Sequence, residues 1–143
     1  MKRVVVDTNI IISATFWQGA PLAVLRGAEE GLHVLLTTDE LLEELRRTLS
    51  KPKFERVFIA LGITSKDVLA LYEERAEKVT PAQIPSGVIR DVKDIPVLAC
   101  ALGGNADSII SGDKDLLSMG SYENIPILSA TQFLERSAMP PDE

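Results

Sequence analysis

The stretch Arg3-Val4-Val5-Val6-Asp7-Thr8-Asn9 sets the pattern of the chain, because a short apolar run ends on a carboxylate. Its β-branched residues predict a buried strand over residues 3–6, and Asn9 is expected to cap a short helix over residues 10–14. Comparable apolar runs predict further strands at residues 33–36, 107–111 and 127–128. Segments with helical patterns separate these strands, so the sequence predicts an α/β domain whose parallel sheet is covered by helices on both faces.

Several helix boundaries can be predicted from residues that favour helix ends. Pro21 is placed to begin a helix that runs through Glu30, and Gly31 is placed to end it. Thr37 and Glu40 form a capping-box pattern, which predicts a helix that continues to about residue 50. The remaining helices are predicted over residues 51–61, 65–78, 94–103, 114–119 and 130–137.

The composition is that of one folded domain, since 45% of the 143 residues are hydrophobic and 25% are charged. The lone Cys100 excludes a disulfide framework and a Cys-rich zinc site. The lone His33 excludes a two-histidine acid–base mechanism, and we interpret it as a structural residue. No apolar run approaches the roughly 20 residues of a membrane span, and Asp7 comes too early for a signal peptide. These features predict a cytoplasmic protein with no membrane partner.

Four acidic residues are the candidates for chemistry. Asp7 and Asp113 follow predicted strands, and each also has the ordinary interpretation of a residue that caps the next helix. Asp94 lies on the apolar face of the helix predicted over residues 94–103, where a carboxylate must be paired, bound to metal or used as a helix cap. Glu44 lies near the edge of the apolar stripe of its helix, so it either reaches the sheet or belongs to a solvated face.

The conjunction of these acids points to a metal site. In parallel sheets, ligands bind beyond the carboxyl ends of the strands, and the four acids are expected to converge at that edge. Carboxylates gathered together repel one another and raise each other's pKa. A divalent cation relieves this repulsion, and oxygen ligands favour Mg²⁺ or Mn²⁺. The expected chemistry is metal-assisted phosphoryl transfer.

The segments that contain these acids resemble the PIN-domain ribonucleases. The likeness runs in order through VVVDTN (4–9), LLEELRRTLSKPKF (41–54), DVKD (91–94) with LACA (98–101), and IISGDKDLL (109–117). No single motif is specific, but the four in this order and spacing are. The chain looks most like the PIN-family toxins of prokaryotic toxin–antitoxin pairs, the VapC-like group, over about residues 3–137.

The resemblance implies one domain over residues 1–143, with a three-layer, Rossmann-like α/β/α fold, a central parallel sheet and a flexible tail at 138–143. It implies cleavage of single-stranded or loop RNA with one or two Mg²⁺ or Mn²⁺ ions, a cognate antitoxin and a homodimer. Carried over by motif, the catalytic and metal-binding acids are Asp7, Glu44, Asp94 and Asp113, with Asp115 as a further metal ligand and with Asn9 and Ser111 supporting them.

Two positions depart from the family pattern. Ser111 stands where the family commonly has threonine, which keeps the hydroxyl and loses a methyl group. Pro96 follows Asp94 closely, where most members have no proline, and a shifted helix start there would move Asp94.

The net charge of −6 means that RNA must be held by a local patch or by a bound cation. Basic side chains that follow Glu44 form one candidate patch, while a solvated, salt-bridged helix face explains them equally well. Phe16 and Trp17 could stack on a base, but packing at a core margin or a subunit interface is the favoured interpretation. The candidate RNA-binding residues are Arg46, Arg47, Lys51 and Lys53.

Three other classes of protein share part of this pattern. An aspartyl phosphatase requires a second acid two residues after Asp7, where this chain has Asn9. A response-regulator-like signalling module requires an adjacent acid pair after the first strand, and Thr8 follows Asp7. A PIN scaffold that binds RNA or protein without cutting stays open, although the full acid set argues against it.

Overall fold

Six strands form the sheet in the computed structural model, which describes residues 1–138. The sheet has the order β3-β2-β1-β4-β6-β5, and its strands are parallel except for β5, which runs antiparallel to β6. The strands are β1 (Lys2–Val6), β2 (His33–Thr37), β3 (Glu77–Lys78), β4 (Ser108–Ile110), β5 (Ser121–Tyr122) and β6 (Ile125–Leu128).

Eight helices and two 3₁₀ turns connect these strands in the described part of the chain. The 3₁₀ turns lie at Pro52–Phe54 and Val92–Asp94. The helices are α1 (Thr8–Phe16), α2 (Gly19–Glu29), α3 (Asp39–Leu49), α4 (Glu55–Leu61), α5 (Ser65–Arg75), α6 (Ile95–Gly103), α7 (Lys114–Met119) and α8 (Ala130–Ala138).

The central strand β1 has core on both faces. Successive side chains of a strand point to opposite faces of the sheet. Val4 and Val6 pack with buried side chains of α1 to α5 and α8, while Val5 packs with α6 and α7 on the other face. The predicted three-layer α/β/α architecture with a largely parallel sheet is therefore confirmed.

The strand order also distinguishes a PIN-like fold from that of a response regulator. Response regulators have a doubly wound sheet of order 2-1-3-4-5. In this chain β1 lies between β2 and β4, and the short β3 lies at the edge beside β2. The response-regulator-like alternative is therefore excluded by topology as well as by the missing acid pair.

Several predicted boundaries were wrong for identifiable reasons. The helix predicted over 65–78 ends at Arg75, because Ala76 is extended and the chain then enters β3. The N-cap of α3 is Thr38 rather than Thr37, and its hydroxyl accepts the Leu41 N–H. The second helix begins at Gly19, before Pro21, because Gln18 and Gly19 adopt positive φ.

The two chain-wide expectations about the tail and the lone histidine have different outcomes. Ala138, the first residue of the predicted tail at 138–143, ends α8, and the rest of that segment lies outside the described residues. His33 is buried, its Nε2 lies 2.7 Å from the Val24 carbonyl oxygen, and its ring packs edge-on against Phe133. The structural interpretation of His33 is confirmed.

Among residues 1–138, no helix has both the length and the apolar character needed to cross a membrane.

Candidate active site

Asp7 directly follows the central strand β1 and lies buried at the carboxyl edge of the sheet. It occupies the N-cap position of α1, the role predicted for Asn9, but its side chain makes no capping hydrogen bond. Its Oδ2 instead accepts a hydrogen bond of 2.7 Å from the Ser111 hydroxyl. Burial raises the pKa of Asp7, and the Ser111 hydrogen bond opposes that rise. The charge of Asp113 adds to the rise in pKa, and backbone hydrogen bonds from Thr8 and Asn9 also oppose it.

Ser111 connects the ends of two neighbouring strands. It is fully buried after β4, donates to Asp7 and accepts the Asp113 backbone N–H at 3.0 Å. Asp113 Oδ2 then accepts the Leu116 N–H at 3.1 Å and so caps α7. The cap that was the ordinary interpretation of Asp113 is therefore real, yet the same carboxyl group also meets Asp94.

Asp94 is the most constrained of these acids. It ends a 3₁₀ turn that runs directly into α6, and it occupies the N-cap position without a capping hydrogen bond. Only 7% of the residue is exposed, and its Oδ2 has no hydrogen-bond partner among residues 1–138. Burial, the hydrogen bond and charge of Asp113, and the charges of Asp7 and Asp91 raise the pKa of Asp94 to about 8. The structure therefore excludes the helix-cap interpretation of Asp94.

Pro96 does not pull Asp94 away from this cluster. A proline in the first turn needs no N–H of its own, and Pro96 lies there in α6. The turn before it continues into the helix with Asp94 and Ile95 in right-handed helical conformations. Asp94 consequently stays buried beside Asp113.

Glu44 reaches the cluster from α3, on the side of Asp7. Leu45 and Leu49 bury the apolar face of α3, which leaves Glu44 half-buried at its edge. The Thr8 hydroxyl donates to Glu44 Oε2 at 3.1 Å. Burial raises the pKa of Glu44 and the charge of Asp7 adds to that rise, while the Thr8 hydrogen bond opposes it.

Two further acids lie on the side of Asp94. One carboxylate oxygen from each of Asp91, Asp94 and Asp115 can be chosen so that all three lie within 4.8 Å of one another. Asp115 was predicted as a ligand, whereas Asp91 was not among the predicted site residues. Asp91 accepts the Lys93 N–H at 3.0 Å and so begins the 3₁₀ turn. Residues three apart eclipse in such a turn, and this spacing from Asp94 was the available signal.

The residues predicted to support the acids and to bind RNA have different surroundings in the structure. Ser111 hydrogen-bonds two acids. Asn9 is exposed and lines a neighbouring groove, and a hydrogen bond from its backbone lowers the pKa of Asp7, so its support of the acids stays a prediction. Arg46 forms an ion pair with Glu43 on the exposed face of α3, which agrees with the interpretation as a solvated, salt-bridged helix face. Lys51 and Lys53 line the same groove as Asn9. Arg47 lies near enough to Glu44 to lower its pKa.

The donor set fits a hard divalent cation. The cluster offers only carboxylate oxygens, and within residues 1–138 no basic side chain forms an ion pair with Asp7, Asp94 or Asp113. A buried charged oxygen without a partner is costly, so Asp94 Oδ2 must be protonated or bound to a cation. All-oxygen sites suit Mg²⁺ and Mn²⁺.

This geometry defines a class of protein: a three-layer α/β domain with an acidic centre at the carboxyl edge of its sheet. The family model of the PIN domain matches residues 3–115, and the chain belongs to the PIN domain family.

The fold is also similar to a solved structure, that of VapBC2 from Rickettsia felis bound to a DNA fragment from their promoter. The TM-score is 0.58 at 15% sequence identity, and the match covers 87% of this chain and 96% of that chain. No curated protein matches this chain.

Proposed function

We propose that this PIN domain is a metal-dependent endoribonuclease and the toxin of a toxin–antitoxin pair in the cytoplasm. The observation that supports the activity best is the proximity of Asp7, Asp94 and Asp113, three carboxyl groups from separate segments that interact through their charges and that form no ion pair within residues 1–138. A fold stabilised only by its own contacts gains nothing from such repulsion. A cation bound at this point would remove it.

The ligands proposed are Asp7, Asp94 and Asp113, with Glu44 on one side and with Asp91 and Asp115 on the other. When bound, Mg²⁺ or Mn²⁺, as one or two ions, would polarise the phosphate and make water a better nucleophile. Hydrogen bonds from neighbouring residues orient two of these carboxylates. Ser111 fixes the orientation of Asp7 at 2.7 Å, and the Leu116 N–H fixes that of Asp113.

Glu44 is the carboxylate best suited to proton transfer. It is only half-buried, and Thr8 holds one of its oxygens, which leaves Oε1 to exchange protons with water. Its raised pKa brings it nearer to the range in which a carboxylate accepts a proton from attacking water. A histidine base is not needed, since His33 is buried elsewhere. Cleavage by this route leaves a 5′-phosphate and a 3′-hydroxyl.

The proposal of a protein partner is supported by apolar surface away from the acids. Ile59 of α4 and Leu71 of α5 are 73% and 56% exposed, respectively. Leu71 also lines an apolar groove of about 360 Å³ beside Leu22 and Tyr72. Exposed apolar surface of this kind is typical of interfaces. The antitoxin is one proposed occupant and a second copy of this chain is the other, and the mass of the purified protein in solution tests the homodimer.

The activity is tested with end-labelled RNA that contains both stems and loops. Purified protein is incubated with Mg²⁺, Mn²⁺ or EDTA, beside an Asp94→Asn variant and a Glu123→Gln control. Glu123 is an exposed acid in the turn between β5 and β6, so its change alters net charge alone. We expect cleavage that needs metal, that persists in the control and that is lost in Asp94→Asn. Cleavage by Asp94→Asn at the wild-type rate would show that the site is wrongly assigned.

A second assay separates a nuclease from a scaffold. Mn²⁺ binding is measured by calorimetry on the wild type and on Asp94→Asn. Metal binding without cleavage of any RNA would favour the scaffold that binds without cutting, while loss of both in the variant agrees with the proposed nuclease.

A further inference from the structure

A second groove, of about 550 Å³, lies between α1 and the end of α3 with the turn that follows it, and none of the acids is among its lining residues. We call it the Trp17 groove; the residues that define it are Asn9, Phe16, Trp17, Lys51, Lys53 and Phe54. One end is tied to the acidic site, since Asn9 is two residues after Asp7. On the opposite wall, the Thr48 hydroxyl donates at 2.9 Å to the carbonyl oxygen of Glu44. Asn9 and Thr48 are thus the lining residues nearest in sequence to Asp7 and Glu44, and a chain that extends past them would approach the acids.

The aromatic residues give this groove a fixed platform. Phe16 stacks on Phe54 with ring centroids 4.6 Å apart and an interplanar angle of 12°, and it meets Phe58 edge-on. Trp17 packs edge-on against Phe16 at 5.8 Å, yet 70% of it is exposed. The packing expected for Phe16 is therefore confirmed, while Trp17 keeps most of its indole in solvent. Such an aromatic face is suited to stack on an unpaired base.

The charge in the groove is opposite to that of the acidic centre. Lys51 and Lys53 form no ion pair with any residue of 1–138, in contrast to Arg46, which pairs with Glu43. Lys53 Nζ lies 5.1 Å from the centroid of the Phe54 ring, so its ammonium group stays close to the aromatic wall. In a chain of net charge −6, this is a local place where a phosphate backbone is attracted rather than repelled.

We propose that the Trp17 groove binds a single-stranded RNA segment next to the bond to be cut. An unpaired base stacks on Trp17, and the adjoining phosphates lie against Lys51 and Lys53. This proposal rests on the proposed ribonuclease function. The pairing of aromatic and basic groups fits a nucleic acid, and two of the lining residues, Asn9 and Thr48, lie within four residues of Asp7 and Glu44. The groove selects substrates in which a base is unstacked, since a base inside a duplex cannot reach the indole.

Trp17 is the only tryptophan of the chain, so its own fluorescence reports the contact. A short single-stranded oligoribonucleotide is added in EDTA, which prevents metal-dependent cutting during the titration. We expect the single strand to quench Trp17 and the same sequence in duplex form to leave it unchanged. Equal quenching by the duplex would overturn the stacking, and a concentration-dependent change without RNA would assign the groove to a second copy of the chain instead.

Variants then separate stacking from charge in a binding assay with a dye-labelled RNA. Trp17→Ala should weaken binding by about 5- to 100-fold, as loss of one base–aromatic stack does, and Trp17→Phe should restore most of it. The Lys51→Ala, Lys53→Ala double variant should reduce the slope of log affinity against log salt by about 1.4. Lys66→Ala, an exposed lysine on α5, is the matched control with wild-type behaviour.

The outcomes distinguish this proposal from the proposed function. Wild-type RNA affinity and salt slope in both groove variants would refute RNA binding in the Trp17 groove. Loss of cleavage in Asp94→Asn would in that case still support the proposed nuclease activity. Conversely, the wild type could cut no RNA while the Trp17→Ala variant binds RNA more weakly than the wild type does. That result would support RNA binding in the Trp17 groove and refute the proposed nuclease activity.

Discussion

The two ends of the sheet treat charge in opposite ways. At the amino ends of the strands, Arg3 lies among partners: its N–H donates to Asp107 at 2.7 Å, its Nε donates to the Gly104 carbonyl at 3.0 Å, and its Nη2 lies 2.6 Å from Glu77. The hydrogen bond and charge of Arg3 lower the pKa of Glu77. The acids and the base at this end satisfy one another.

At the carboxyl ends, acids face acids. Asp7, Asp94 and Asp113 lie together, and the pKa values of Asp7 and Asp94 rise because of burial and like charge. Arg90, which is exposed, pairs with Asp115 at 3.1 Å, and within residues 1–138 no basic side chain forms an ion pair with Asp7, Asp94 or Asp113. The comparison teaches that the compensated charges at one end stabilise the fold, whereas the crowded carboxyl groups at the other end require a proton or a cation.

The largest test of this contrast is Asp113→Asn. The amide still accepts the Leu116 N–H, so the cap of α7 is kept while one of the crowded charges is removed. We expect RNA cleavage to fall by at least about 100-fold, the upper end of what loss of an outer partner of a metal ligand costs. We also expect the metal-free variant to melt higher than the wild type, as measured by calorimetry in EDTA. A lower melting temperature would mean that Asp113 serves the fold.

The second test is the pH dependence of stability in EDTA. In the folded protein the pKa of Asp94 is about 8, above its ordinary value of 3.8, so the native state binds the proton more tightly than the unfolded state. The stabilising contribution is full below about pH 4 and is lost as pH rises to about 8. Burial raises the pKa of Asp7 and Glu44 in the same direction.

Urea unfolding between pH 5 and pH 9 measures this slope. We expect stability to decline with pH in EDTA, to be restored by Mg²⁺ at the high end, and to decline less in Asp94→Asn. A flat profile in EDTA would show that the cluster is not under charge strain. The compensated acids Glu43 and Glu77 do not confuse the result, because their lowered pKa values act below this window.

The third test concerns Ser111, the hydroxyl that joins two of the acids. Ser111→Ala leaves Asp7 Oδ2 without its donor and the Asp113 N–H without its acceptor. We expect a loss of about 1–3 kcal/mol in the free energy of unfolding and a fall of about 10- to 100-fold in cleavage. Ser111→Thr keeps the hydroxyl and should retain most of both. Equal losses in the two variants would point to packing rather than to the hydrogen bonds.

The sequence predicted most of the acidic centre because its logic is local. Asp7 and Asp113 each follow an apolar run, and the carboxyl ends of parallel strands meet at one edge. Asp94 could be predicted because a carboxylate on an apolar helix face is costly unless it is paired, capped or bound to a cation. Asp91 was missed because its approach depends on a 3₁₀ turn, which has no hydrophobic period.

The remaining misses come from tertiary structure. β3 and β5 have only two residues each, too few for a strand pattern, and they form because a neighbouring strand offers its edge. The exposure of Trp17 depends on where Phe16 finds its partners, in a turn far along the chain. Arg46 and Lys51 differ in their surroundings: Arg46 forms an ion pair with Glu43, whereas Lys51 forms none within residues 1–138.

The smallest expected effect is at the compensated end, with Glu77→Gln. Both partners of the Arg3–Glu77 pair are substantially exposed, so the pair contributes little. We expect the melting temperature to fall by no more than about 5 °C, with cleavage and metal binding unchanged. The sign matters more than the size. Neutralising an acid should destabilise the fold at the amino ends and stabilise it, without metal, at the carboxyl ends. If Glu77→Gln and Asp113→Asn shifted the melting temperature in the same direction, the contrast between the two ends of the sheet would fail.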